Sequence, residues 1–197
     1  MTRIKICGLS RVCDIESVNQ AKPEYIGFVF AESRRKVTPE QAKELRMKLS
    51  PDIIPVGVFV NEKPEVIVSI VKSGIIDIIQ LHGDETEEYI KEIKDLTGKP
   101  IIKAVSVVKA GDVQKFADTK ADFLLLDNKS GGTGQAFDWD LIGEVDKPFF
   151  LAGGLNIKNV GLAISQTNPY AVDISSGVEV DGLKDKDKII SIVRNLR

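Results

Sequence analysis

Tyr25-Ile26-Gly27-Phe28-Val29-Phe30, then Thr38-Pro39-Glu40-Gln41-Ala42-Lys43-Glu44-Leu45-Arg46-Met47-Lys48-Leu49, then Ile54-Pro55-Val56-Gly57-Val58-Phe59-Val60, are the stretch on which the fold turns. The outer two segments are short, apolar and rich in β-branched and aromatic residues, as strands are. The middle segment has a Thr38 N-cap, Pro39 at the first helical position and Ala42, Leu45 and Leu49 on one stripe. A strand, a helix and a second strand in this order imply a right-handed βαβ unit with parallel strands. The same alternation extends in both directions. Strand-like runs are expected at 4–7, 25–30, 54–60, 75–81, 100–107, 123–127, 148–152 and 171–175. Helical spacing marks 39–49, 64–73, 86–96 and 184–196. Eight units in 197 residues leave about 25 residues each. A strand of ~5 residues, a helix of ~11 and two loops of ~3–6 fill that length. The predicted fold is therefore α/β, a (βα)8 or TIM barrel, as one compact domain over residues 1–197. No G-x-G-x-x-G follows the first strand and no G-x-x-x-x-G-K-[ST] occurs, which argues against an open nucleotide-binding sheet.

The composition narrows the function. Lys and Arg total 27 against 29 Asp and Glu, a formal charge of −2, without the basic excess of a nucleic-acid surface. Apolar residues are 43% and charged residues 28%, ordinary globular usage. The apolar runs are strand-sized, far short of the roughly 20 residues of a membrane helix. Residues 1–10 lack the apolar core of a signal peptide. The two cysteines, Cys7 and Cys13, make no disulfide framework, so a cytoplasmic location is expected. With one His beside them, they do not easily supply the four or so ligands of a zinc site. Cys13, on the first helical pattern, is assigned to the core.

A barrel of this kind builds its active site from the loops at the carboxyl ends of its strands. The first strand ends Lys5-Ile6-Cys7-Gly8. Alternation places Ile4 and Ile6 toward the helices and Lys5 and Cys7 inward, with Cys7 at the mouth, as either an inert buried thiol or a reactive one. The second strand runs into Arg34-Arg35-Lys36, either a solvated cluster or a carboxylate-binding fork. The fourth ends at His82, structural or functional. The sixth ends at Asp127, which is either a loop cap or a carboxyl group whose burial raises its pKa and fits it for general acid catalysis. The seventh and eighth end in Gly153-Gly154 and in Asp173-Ile174-Ser175-Ser176-Gly177. Gly-rich turns at these two ends suit a phosphorylated ligand. The Gly-rich segment 130–134 reads as a mobile loop.

These residues resemble a known family. Lys5-Ile6-Cys7-Gly8, Gly27-Phe28-Val29-Phe30, Ser33-Arg34-Arg35, Gln80-Leu81-His82-Gly83, Leu126-Asp127 with Gly131-Gly132-Thr133-Gly134 and Phe137-Asp138-Trp139, Ala152-Gly153-Gly154-Leu155-Asn156 and Val172 to Glu179 are similar, in order and spacing, to phosphoribosylanthranilate isomerase of tryptophan biosynthesis. The resemblance implies an Amadori rearrangement of N-(5′-phosphoribosyl)anthranilate to 1-(2-carboxyphenylamino)-1-deoxyribulose 5-phosphate, with no metal and no organic cofactor. It implies Cys7 as general base, Asp127 as general acid and Arg35 as the carboxylate clamp. Gly153, Gly154, Ser175, Ser176 and Gly177 fall in the phosphate loops, and His82 and Asp173 at the mouth. The implied partner is a phosphorylated small molecule, with neither nucleic acid nor membrane, for a monomer or homodimer. Lys36 departs from the aromatic residue that many members carry there.

Two other readings compete. A related aminoaldose isomerase of histidine biosynthesis, or a dual-specificity enzyme, would share the barrel and the phosphoribosyl amine. Those enzymes resemble this chain but carry Asp at the first-strand position, where this chain has Cys7. A non-catalytic phosphate-binding barrel would have no need for Cys7 and Asp127 facing one another.

Overall fold

The computed structural model describes residues 2–128 and 138–197. The expected loop at 130–134, with Gly131 to Phe137 of the family motif, lies outside the described residues. Eight parallel strands close on themselves in chain order. They are β1 (Arg3–Cys7), β2 (Tyr25–Val29), β3 (Ile54–Phe59), β4 (Ile78–Leu81), β5 (Ile101–Ser106), β6 (Phe123–Asp127), β7 (Phe149–Leu151) and β8 (Ala171–Ile174). Closure is made where β8 pairs with β1, with Ile4 opposite Val172 and Lys5 opposite Asp173. The helices are α1 (Val12–Ala21), α2 (Pro39–Lys48), α3 (Pro64–Lys72), α4 (Glu87–Thr97), α5 (Val160–Thr167) and α6 (Lys186–Asn195). Thr38 caps α2 as its sequence requires, its hydroxyl accepting from Gln41 N while the Gln41 side chain accepts from Thr38 N. Thr86 and Asp185 cap α4 and α6 with side chains that accept from Tyr89 N and Lys188 N.

Among the described residues, the structure departs from the expected eight helices at two connections. A single 3-10 turn, Gln114–Phe116, lies between β5 and β6, and another, Trp139–Leu141, precedes β7. Neither connection carries an apolar stripe of helical length, and Phe116, Trp139, Leu141 and Ile142 cover the barrel there instead. An element absent from the expected pattern follows β8. Glu179–Val180 (β9) and Leu183–Lys184 (β10) form a hairpin. Asp181 and Gly182 turn it with φ of 50° and 80°, the primed geometry that this dipeptide favours.

Side-chain alternation sorts each strand into two layers. Ile4, Ile6, Ile26, Phe28, Ile79, Leu81, Leu124 and Leu126 face the helices in one continuous core. Tyr25, Val56, Ile78, Ile102, Leu125, Phe150, Ala152 and Ala171 fill the barrel. At the amino ends of the strands the filling is aromatic. Phe150 packs against Tyr25, Phe123 and Tyr170 with ring centroids 5.4, 5.6 and 5.7 Å away. The Tyr25 and Tyr170 hydroxyls are hydrogen-bonded to each other at 3.0 Å. These rings plug the lower half, and near the carboxyl ends the inward residues include the polar Cys7, Gln80, Asp127 and Asp173, which border open space. Cys13 is not in the core as expected: it is exposed. In α1, Ile15 and Val18 face the barrel, and at about 100° per residue position 13 points almost directly away from Ile15. No helix among the described residues is long and apolar enough to cross a membrane.

Candidate active site

A cavity of about 230 Å³ opens at the carboxyl ends of the strands. Cys7, Arg35, His82, Asp127, Gly153, Gly154, Asp173, Ser175 and Ser176 all border it. Nine of the ten residues singled out from sequence thus meet in one place. The tenth, Gly177, is set behind the rim. A Cβ there would run into the Leu155 carbonyl, so its bare Cα lets the β8 loop close against the β7 loop.

Cys7 ends β1 pointing inward and is only 8% exposed. Its thiol has room because the neighbour on β2 is Gly27: a Cβ there would lie 2.6 Å from Sγ. Burial pushes the Cys7 thiol above its ordinary pKa, the nearby Lys5 and Lys184 charges pull it down, and Asp173 pushes it up. Without a ligand it is a thiol at neutral pH. Asp127 ends β6, with Oδ1 accepting from the Asn128 backbone N–H at 2.8 Å. Burial lifts its carboxyl to about 6, aided by Asp173 and opposed by that backbone bond and by Lys5. The carboxyl group thus holds a proton nearer to neutrality than an exposed one does.

Between them runs a polar floor. Lys5, wholly buried, donates to Gln80 Oε1 at 2.9 Å and to Asp173 Oδ1 at 3.0 Å. Burial alone would lower the Lys5 pKa, yet Asp173 and Cys7 hold it above the ordinary value. Gln80 Nε2 lies 2.9 Å from His82 Nδ1, and His82 Nε2 lies 3.7 Å from Asp127 Oδ2. Burial and the Lys5 charge hold the imidazole below its ordinary pKa, so it is neutral at pH 7.

Arg35 reaches the rim over Gly8, where any Cβ would strike its side chain. Its guanidinium is gripped by Glu179, Nε to Oε1 at 2.7 Å and Nη2 to Oε2 at 2.9 Å. Arg34, more than half exposed, also donates to Glu179 Oε2, and buried Lys184 donates to Oε1 at 2.6 Å. Burial would raise the Glu179 carboxyl, but Arg35 and Lys184 outweigh it and hold it down at about 2. Glu179, Lys184 and Gln80, which contact these residues, have no role in the sequence reading. Gln80 was legible in principle, since alternation puts it on the same inward face as His82.

At the end of β7, Gly153 and Gly154 both have positive φ, 84° and 65°. The Gly154 carbonyl is tied outward by Asn156 Nδ2 and Asn159 Nδ2, each at 3.1 Å. Ser175 Oγ donates to the Cys7 carbonyl at 3.0 Å, joining the β8 loop to the thiol's strand. A glycine turn and two serines here offer small donors to an anion.

Comparison with known proteins agrees with this geometry. The family model described as N-(5′-phosphoribosyl)anthranilate isomerase matches residues 4–195. A relative of that name from Endomicrobium trichonymphae is 50% identical over 201 residues, covering all of this chain and 99% of its own. The crystal structure of phosphoribosyl anthranilate isomerase from Thermotoga maritima superposes with a TM-score of 0.90 at 37% identity, covering 99% of this chain and 98% of that one. A structure of the isomerase in complex with reduced 1-(o-carboxyphenylamino)-1-deoxyribulose 5-phosphate superposes at 0.85 with 35% identity and the same coverage. The chain belongs to the N-(5′-phosphoribosyl)anthranilate isomerase family.

Proposed function

We propose that this chain isomerises N-(5′-phosphoribosyl)anthranilate to 1-(2-carboxyphenylamino)-1-deoxyribulose 5-phosphate in tryptophan biosynthesis, with Asp127 as general acid and Cys7 as general base. The observation that carries the reading is that a thiol from β1 and a carboxyl group from β6 border one cavity rimmed by Gly153, Gly154, Ser175 and Ser176. Asp127 gives its proton to the ribose ring oxygen. The C1′–O bond breaks and the anilino nitrogen lone pair forms the C1′=N bond. Cys7 releases its own proton to solvent as the iminium forms, and then takes the C2′ proton as a thiolate. The C–H electrons become the C1′=C2′ bond, and the C=N π pair returns to nitrogen. The resulting enolamine passes its hydroxyl proton out and takes a proton at C1′, leaving a ketone at C2′. The iminium charge beside C2′ favours the thiolate that burial disfavours.

The ends of the substrate are held apart from the chemistry. The 5′-phosphate lies in the β7 and β8 loops, and the anthranilate carboxylate faces Arg35. Two anchors on opposite rims fix C1′ and C2′ between acid and base, where orientation is worth several kcal/mol. The whole chain acts as one barrel domain, as a cytoplasmic monomer or homodimer. Fluorescence-monitored consumption of N-(5′-phosphoribosyl)anthranilate by the purified protein tests the assignment, and Cys7→Ser should lower kcat by at least about a hundredfold. Unchanged turnover in Cys7→Ser would remove the thiol from the mechanism. Turnover of the histidine-pathway aminoaldose in its place would transfer the chain to the other isomerase.

A further inference from the structure

The mechanism above leaves Lys5, Gln80 and His82 without a part, yet two hydrogen bonds link them in a chain, and its last member, His82, sets Nε2 3.7 Å from Asp127 Oδ2. Lys5 Nζ donates to Gln80 Oε1 at 2.9 Å. An ammonium has only donors, so the amide has to turn its oxygen toward Lys5. Its NH2 is then forced toward His82, where it donates to Nδ1 at 2.9 Å. A neutral imidazole that accepts at Nδ1 carries its hydrogen on Nε2. Nε2 is the atom that faces Asp127 Oδ2, at 3.7 Å, while Oδ1 is already engaged by the Asn128 backbone N–H.

We propose that Gln80 is a positioning residue: it passes the fixed polarity of Lys5 to His82, so that the imidazole presents Nε2–H to Oδ2 of Asp127 and supports the carboxylate left when the acid gives up its proton. The proposal rests on the reading of Asp127 as general acid and adds what sets its partner. The other tautomer would turn a lone pair against the carboxylate. An imidazolium would stabilise the anion so strongly that the acid would be ionised beforehand. The charged groups around the imidazole are Lys5 and Lys103 on one sign and Asp173 and Glu85 on the other, and those around Asp127 are Lys5 and Asp173. The catalytic acid would then be tuned by three residues that need not touch substrate.

The chain has a single histidine, so protein labelled with 15N-histidine gives one imidazole spectrum. At pH 7.5 the unaltered protein should show a neutral ring protonated on Nε2. A ring protonated on Nδ1, or on both nitrogens, overturns the proposal whatever the activity. Gln80→Glu keeps an acceptor for Lys5 but turns an acceptor toward Nδ1, so the hydrogen should move to Nδ1 and kcat should fall about tenfold or more with KM little changed. A shifted tautomer with undiminished kcat, or a loss of kcat with the tautomer unmoved, overturns it. If Gln80→Glu does not fold, the spectrum of the unaltered protein still decides. Absence of isomerase turnover in the unaltered protein would refute the function, while the spectrum judges the hydrogen-bond chain by itself.

Discussion

Asp127 carries a conflict between stability and chemistry that one substitution can expose. Its carboxyl titrates near 6 in the fold, above the ordinary 3.8, chiefly because burial disfavours its charge. A raised carboxyl pKa means that the folded state binds the proton more tightly than the unfolded chain does. Its stabilising share is therefore present below about pH 4, is lost as pH rises from about 4 to 6, and above that range leaves a cost. Asp127→Asn removes the charge and keeps the shape. At pH 7 the variant should be more stable by on the order of 1–3 kcal/mol, with the gain vanishing near pH 4, while kcat falls at least about a hundredfold. Thermal melts at the two pH values, beside a turnover assay, check both halves. Gly27 is the complementary case, a residue whose worth is the space it leaves. Gly27→Ala places a methyl 2.6 Å from the Cys7 sulfur. The expected result is about 1–3 kcal/mol of destabilisation from overpacking together with a loss of kcat that Cys7→Ser does not deepen. A double variant slower than either single one would show that the methyl acts on something other than the thiol.

The β9–β10 hairpin shows what an element adds that no single residue does. Its first residue, Glu179, holds Arg35 through two parallel hydrogen bonds and buries Lys184 beside it. The Arg35 guanidinium is thus held in one orientation, which, in the proposed role of carboxylate clamp, would limit the side-chain entropy lost on binding. Glu179→Gln breaks the fork, so KM should rise about tenfold with kcat much less affected, an uneven split that steady-state kinetics resolve. The same element has a pH signature. Glu179 titrates near 2 in the fold against an ordinary 4.5, so its contribution is present above about 4.5 and is lost as pH falls toward 2. Glu179→Gln should flatten that part of the stability profile. This pairing also marks where sequence reading stops. Cys7, Asp127, Gly153 and Ser175 were legible because strand alternation and strand ends place them, and both are local rules. Arg35 and Glu179 are 144 residues apart and Lys5 and Asp173 are 168 apart, so their pairing depends on barrel closure and register. The hairpin left a trace in Asp181-Gly182, a turn signal that needed only flanking strand residues to be read. Cys13 was misassigned because the face of α1 depends on phase, which Ile15 and Val18 set, and not on residue type.

At the scale of the molecule the barrel divides its labour along its axis. The amino ends of the strands are closed by Tyr25, Phe123, Phe150 and Tyr170, with Arg3 lying 4.3 Å over the Tyr170 ring. The carboxyl ends hold the cavity, its buried charges and its glycine turns. A barrel built in this way should tolerate damage at the aromatic end without chemical consequence, because the strands between are stiff and the reacting groups are fixed by their own upper neighbours. Phe150 is wholly buried at the centre of the plug. Phe150→Ala removes that ring and leaves a cavity among the other three, at a cost of about 3–5 kcal/mol. For a chain of this length the loss corresponds to a fall in Tm of about 6–20 °C. Well below the new Tm, kcat and KM for N-(5′-phosphoribosyl)anthranilate should stay within about twofold of the parent, since the aromatic cluster is separated from the cavity by Leu125 and Ala152 in the same interior layer. A kcat lowered in proportion to stability would show that the plug and the active site move together, and that the acid and base are positioned by the whole barrel and not by the ends of its strands.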